Sequence, residues 1–152
     1  MNFEGFLLDK DVEIHLLNTE DALSNGQRLP ASGSFIDVSN FERFAFLVGA
    51  GALANALTLK VEQDTSETVT ASVKDVTGAT VSVLATGDDK WYLVEVQTAH
   101  LDTNNDFHFV TLNVAGAGAG TDFGSVWFFG INPKTFPVTQ PATRGGAVAV
   151  VG

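Results

Sequence analysis

The stretch FAFLVGAGALANALTLK, Phe44–Lys60, decides the fold. An apolar run enters Gly49, Gly51 and Ala54, which is the G-x-G-x-x-A spacing of a dinucleotide-binding turn. Such a turn works by opening a helix whose N-terminus faces the pyrophosphate. No helix has room here. Eight residues separate Val48 from Leu57, where Leu57, Leu59 and Val61 already alternate with Thr58, Lys60 and Glu62. A crossover to a parallel strand takes a dozen residues or more. The segment therefore reads as a loop joining two antiparallel strands, with Gly49 and Gly51 expected to supply positive φ.

The same period of two extends in both directions. Val12, Ile14 and Leu16 alternate with Glu13 and His15, and Phe44, Phe46 and Val48 with Arg43, Ala45 and Leu47. Val69, Ala71 and Val73 follow, then Val81 and Val83. Tyr92, Val94 and Val96 oppose Trp91, Leu93, Glu95 and Gln97, and Val110, Leu112 and Val114 oppose Phe109, Thr111 and Asn113. Alternation of this kind marks half-buried strands. The run from Val126 to Ile131 is apolar on both faces, as a central strand would be. Turn signals punctuate these runs at Asn25-Gly26, Gly78, Gly87-Asp88, Asn104-Asn105 and Asn132-Pro133. Gly78 and Gly87-Asp88-Asp89 each predict a tight hairpin. The best helical stretch is Thr19–Ser24, with Thr19 as its cap, and it is one or two turns at most.

About eight short strands in a single domain predict an all-β fold, a single antiparallel β-sandwich of jelly-roll type. The chain divides into an N-terminal arm or first strand over 1–33, a sandwich core over 34–140, and a tail over 141–152. In the arm Phe3, Phe6 and Leu7 are candidate partner contacts. In the tail Ala147, Val148, Val150 and Val151 follow a Gly-Gly hinge and have the composition of a strand added to a neighbour's sheet edge.

Composition narrows the function. The 152 residues suffice for one domain with a core of its own. Eighteen Asp and Glu against eight Lys and Arg give a formal charge of −10, which repels phosphate backbones, so nucleic-acid binding is not expected. The chain has no Cys, hence no disulfide framework and no thiolate zinc site. No basic segment leads into an apolar one as in a secretory signal, and no apolar run approaches the ~20 residues of a membrane helix.

The remaining motifs carry little chemistry. GAGAG, Gly116–Gly120, lacks the Lys-Ser/Thr of a phosphate loop and reads as a connection between the strands at Val114 and Val126. Asp102, Asn104 and Asp106 fall at positions 1, 3 and 5 of a calcium loop, but Phe107 stands where Gly is needed and Asn113 where Glu is needed. The stretch reads as a polar turn entering the strand at Phe107, with a non-helical calcium site over Asp102–Asp106 as the alternative. His15, His100 and His108 form no H-x-H pair, although His100 and His108 flank that turn. No G-x-S-x-G elbow is present. No catalytic residue, cofactor, metal or small-molecule substrate is expected. Trp127 reads as core, and Trp91 is open.

Two stretches resemble the small β-sandwich capsid decoration, or cement, proteins of tailed bacteriophages. They are SFIDVSNFERFAFLVGAGALANALTLKVEQ, Ser34–Gln63, and HLDTNNDFHFVTLNVAGAGAGTDFGSVWFFGINP, His100–Pro133. The likeness lies in strand lengths and loops over about two-thirds of the chain; the final TRGGAVAVVG departs from it. It implies a non-enzymatic protein assembled in the host cytoplasm onto the capsid surface. The partner implied is the major capsid protein, and closed symmetry suggests a homotrimer. The alternatives are a tail or neck component of the same virion and a carbohydrate-binding module.

Overall fold

The computed structural model describes residues 11–22, 24–30, 34–118, 122–136 and 138–139. Among them nine strands form two antiparallel sheets: β1 (Val12–Ala22), β2 (Gln27–Leu29), β3 (Ile36–Asp37), β4 (Phe41–Ala50), β5 (Leu57–Asp64), β6 (Lys74–Val83), β7 (Trp91–Gln97), β8 (Phe109–Ala115) and β9 (Asp122–Pro133). Sheet A has the order β1-β9-β4-β7; sheet B has β2-β8-β5-β6, with β3 also on β8. The partners nest inside one another: β1 with β9, β2 and β3 with β8, β4 with β7, β5 with β6. The chain is thus one long antiparallel hairpin, its tip at β5–β6, rolled until β9 meets β4 and β8 meets β5. This is the double-sheet jelly roll.

The core lies between the sheets. Phe44, Phe46, Val48, Val126 and Phe128 from sheet A face Leu59, Val61, Val110, Leu112 and Val114 from sheet B, all fully buried. Phe44, Phe46 and Phe128 contact one another with ring centroids 5.4–6.1 Å apart, within the favourable range for aromatic pairs. The alternation in β4, β5, β7 and β8 therefore points its apolar face inward, and β9 is a central strand, as its two apolar faces demand.

Rolling the hairpin changes the meaning of several turn signals. Residues 51–56, after Phe44–Ala50, carry β4 of sheet A across to β5 of sheet B with no intervening helix. Gly49 is an ordinary extended residue paired with Trp91 and Ser125; the positive-φ glycines of the described residues are Gly26, Gly78 and Gly116. Gly87-Asp88-Asp89 is not a hairpin either, because it leads from β6 in sheet B to β7 in sheet A. Gly78 sits inside β6 at φ +80°. The register there jumps from Lys60↔Thr80 to Glu62↔Asp75, so β6 bulges opposite Val61 rather than turning. The Gly116–Gly120 connection likewise crosses between sheets, from β8 to β9.

Three further expectations are corrected. Thr19–Ser24 is not helical: β1 continues to Ala22, paired with Asp122. The cross-strand ladder to β9 overrides a weak local helix preference. Val69–Val73 is not a strand but part of the β5–β6 connection. Asp64 organises this loop. Its buried carboxylate accepts the Thr65 N–H at 2.7 Å, the Thr70 N–H at 2.7 Å and the Thr70 hydroxyl at 2.6 Å. Third, β1 presents the opposite face from the one its apolar residues suggest. His15 is opposite Phe128 and Glu13 opposite Gly130, on the inner side, so Ile14 and Leu16 lie on the outer face. Glu13 and His15 satisfy each other, and the His15 ring meets the edge of Phe128. Polar residues are tolerated facing inward here because both side chains keep about a fifth of their surface exposed and each satisfies the other. The segment 1–33, expected as arm or first strand, thus supplies β1 and β2 to the two sheets.

Candidate interaction face

The outer faces of the two sheets differ in kind. On sheet B, Lys60, Glu62, Asn113 and Arg28 form a polar ladder. Arg28 Nε donates to Glu62 at 2.5 Å, Asn113 Nδ2 to Glu62 at 3.1 Å, and Lys60 Nζ to Asp75 at 2.8 Å. The Asp75 hydrogen bond, then the charges of Asp75 and Glu62, hold the Lys60 ammonium above the ordinary lysine value despite burial, which acts the other way. Thr111 closes the ladder by donating to the Leu29 carbonyl at 2.8 Å. Every charged group of this ladder has a partner within the chain.

Sheet A turns a different surface outward. Residues paired across strands share a face, and the register places Ile14 and Leu16 of β1 beside Trp127, Phe129 and Ile131 of β9. Next come Ala45 and Leu47 of β4, then Leu93 and Trp91 of β7. Towards one end of this face Arg43 and Glu95 carry charge, and they pair at 3.0 Å. The face is four strands wide and seven residue pairs long on β4–β7. At ordinary strand spacings that is about 19 by 24 Å, or about 450 Å². This footprint includes Arg43, Glu95 and Gln97 at one end; an apolar patch of a few hundred Å² is the size of the largest on a typical monomer, which is often functional.

The apolar surface continues round the corner between β6 and β7. Trp91 is 70 % exposed, Leu84 67 % and Leu93 44 %. The corner is held by Tyr92, whose hydroxyl donates to the Gly87 carbonyl at 3.1 Å, and by the Asp88 carboxylate, which accepts the Leu53 N–H at 3.0 Å. Trp127 is not core: it is half-buried on the outer face, with Nε1 donating to Ser125 Oγ at 3.1 Å.

The motif residues are spread over the molecule. Asp102 is engaged by the Lys74 ammonium at 2.5 Å and by Asn105 Nδ2 at 2.8 Å. The Lys74 hydrogen bond leads in depressing the Asp102 pKa, with Asn105 next. The same ammonium stands 3.8 Å from the centre of the Phe107 ring. Asn113 belongs to the sheet B ladder, away from this turn. Among the described residues no three His, Cys, Asp or Glu side chains converge as a metal set would. His108 packs on Phe109 with centroids 4.4 Å apart, while His100 closes a 3₁₀ turn beside β7. Phe3, Phe6, Leu7, Ala147, Val148, Val150 and Val151 lie outside the described residues. The outer face of sheet A went unread in the sequence. Its signal was present in the doubly apolar runs at 44–48 and 126–131, which leave one apolar set facing out when the two strands pair.

These features define an all-β jelly-roll domain with one polar and one apolar outer sheet face. No protein-family model, curated protein or solved structure matches the chain.

Proposed function

We propose that this chain is a non-enzymatic virion structural protein that binds the outside of a bacteriophage capsid and reinforces it, with the outer face of sheet A as its contact surface. The observation that carries the reading is that face: an acidic chain of charge −10 presents a largely apolar sheet on which the Glu95 carboxylate is paired with Arg43. Trp91 is the natural anchor, since exposed Trp dominates interface energetics when buried by a partner. The jelly roll is also an architecture of viral capsid domains. The partner is the major capsid protein, and a trimer on the shell would gain avidity from several weak contacts held at once.

The test is binding of the purified protein to undecorated particles. Phe129→Glu places a charge in the middle of the face without touching the core. It should leave the β-sheet circular dichroism and melting temperature nearly unchanged while abolishing particle occupancy. Full occupancy by a folded Phe129→Glu protein would reject the reading. If occupancy is found at the tail or neck by electron microscopy, the same face serves a different virion partner. A carbohydrate-binding module is the second reading, favoured by the exposed Trp91 platform alone. Glycan-array binding lost in Trp91→Ala would select it.

A further inference from the structure

The corner that carries the chain into β2 holds a reactive pair. Asn25 is the one Asn of the chain followed by Gly. Gln27 N–H closes a turn on the Ser24 carbonyl at 3.1 Å, and Gly26 takes the third place of that turn at φ +75°. This left-handed place favours glycine. The turn therefore sets beside the Asn25 side chain a residue whose amide nitrogen no side chain shields.

Both reacting groups are held in the folded corner. The Gly26 N–H donates to the Val114 carbonyl at 2.7 Å. The Asn25 Oδ1 accepts the Gly116 N–H at 2.7 Å. These two bonds tie the turn to the end of β8 and to the residue that follows it. The first keeps the proton on the Gly26 nitrogen, and the second fixes the Asn25 carboxamide in place. An amide bonded in this way gives up its proton only when the structure opens locally.

We infer that Asn25 is a latent self-modification site, converted to aspartate and isoaspartate when the β2 corner opens. In the opened corner the Gly26 amide loses its proton and its nitrogen attacks Asn25 Cγ. The new N–C bond replaces the Cγ–Nδ2 bond, and Nδ2 leaves as ammonia with that proton. Water, the only co-reactant, then opens the cyclic imide at either carbonyl. Aspartate keeps the backbone as it was; isoaspartate lengthens it by one carbon before Gly26. The longer backbone displaces Gly26, so its N–H leaves the Val114 carbonyl and its own carbonyl leaves Asn113 Nδ2, its donor at 3.4 Å. The change is one-way, and it loosens the border of sheet B where β2 pairs with β8. The inference stands apart from what the outer face of sheet A binds.

The test is peptide mass spectrometry of the full-length protein after incubation at mildly alkaline pH, both native and in guanidinium chloride. In guanidinium chloride Asn25 should convert faster than every other Asn. In the native protein it should convert at least about tenfold more slowly, since opening must come first. Gly116→Ala puts a Cβ 3.1 Å from the Ala56 carbonyl oxygen on a residue at φ +88°, which should weaken the bond to Asn25. It should speed native conversion of Asn25 about threefold or more and leave the rate in guanidinium chloride unchanged; Trp fluorescence reports that the variant is folded. Conversion of Asn25 no faster than that of the other Asn in guanidinium chloride would overturn the site. Equal rates in the native and unfolded parent, a comparison that needs no variant, would overturn its gating by the fold. A folded Gly116→Ala protein that ages at the parent's native rate would overturn the part given to the Gly116 bond.

Discussion

Gly130→Ala should destabilise the protein although it removes a glycine from a strand. A glycine inside a strand ordinarily costs roughly 0.5–1 kcal/mol relative to alanine, so the substitution would be stabilising in open space. Here a Cβ at Gly130 would meet Cε2 and Cζ of Phe41 at 2.7 Å and Cε1 at 2.8 Å. Carbon atoms prefer about 3.5 Å or more, so the ring must retreat by about 0.8 Å. Phe41 is 1 % exposed and packed in the core, leaving no room to receive it. Overpacking of this kind costs about 1–3 kcal/mol. Set against the gain in backbone entropy, the net loss is about 1–2 kcal/mol, or about 3–6 °C in melting temperature for a domain of this size. Urea denaturation read by Trp fluorescence measures it. Phe41→Leu supplies the control: with the ring gone, adding Gly130→Ala should cost nothing, so the double mutant is more stable than the sum of the singles by about 1–3 kcal/mol. A Gly130→Ala protein with a raised urea midpoint, or strict additivity with Phe41→Leu, would refute the close approach. The outcome bears on function too, because β9 carries Trp127, Phe129 and Ile131 outward on alternate residues to Gly130.

Asp64→Asn should lower stability at pH 7 by about 2 kcal/mol, since hydrogen bonds to a charged acceptor are the stronger kind. Burial opposes ionisation of Asp64, but the bonds from Thr70 and Thr65 outweigh it and depress the folded-state pKa. Its contribution is therefore complete above the unfolded value near 4 and is lost as pH falls through the lower folded value; chemical denaturation between pH 2 and 7 should show a shallower acid limb in Asp64→Asn. Gly78→Ala should cost about 1 kcal/mol through the left-handed backbone alone, because nothing lies within 4 Å of the added Cβ; thermal melts check it. Leu47→Asp, on the outer face of sheet A, should change the urea midpoint little and raise solubility, whereas Leu59→Asp, fully buried in the core, should prevent folding.

Alternating residues such as Leu57, Leu59 and Val61 settle by themselves that this is a chain of half-buried strands. With eight residues between Val48 and Leu57, the same pattern settles that the paired glycines near position 50 open no helix. It also identifies β9 as a central strand. These properties are local, and the period of the apolar residues suffices to state them.

Tertiary structure decided what depends on partners distant in the chain. Gly87-Asp88 has the chemistry of a hairpin turn, and that chemistry specifies φ and ψ, not which sheet receives the next strand; only the rolled topology shows that it crosses between layers. Alternation in Val12–Leu16 distinguishes two faces but not which is inner. Pairing of His15 with Phe128 resolves it, and sends Ile14 and Leu16 outward to join Phe129, Leu47 and Leu93. The candidate contact face is assembled from four strands, and its neighbours Ile14 and Phe129 stand more than 110 positions apart in the chain, so no window of sequence contains it.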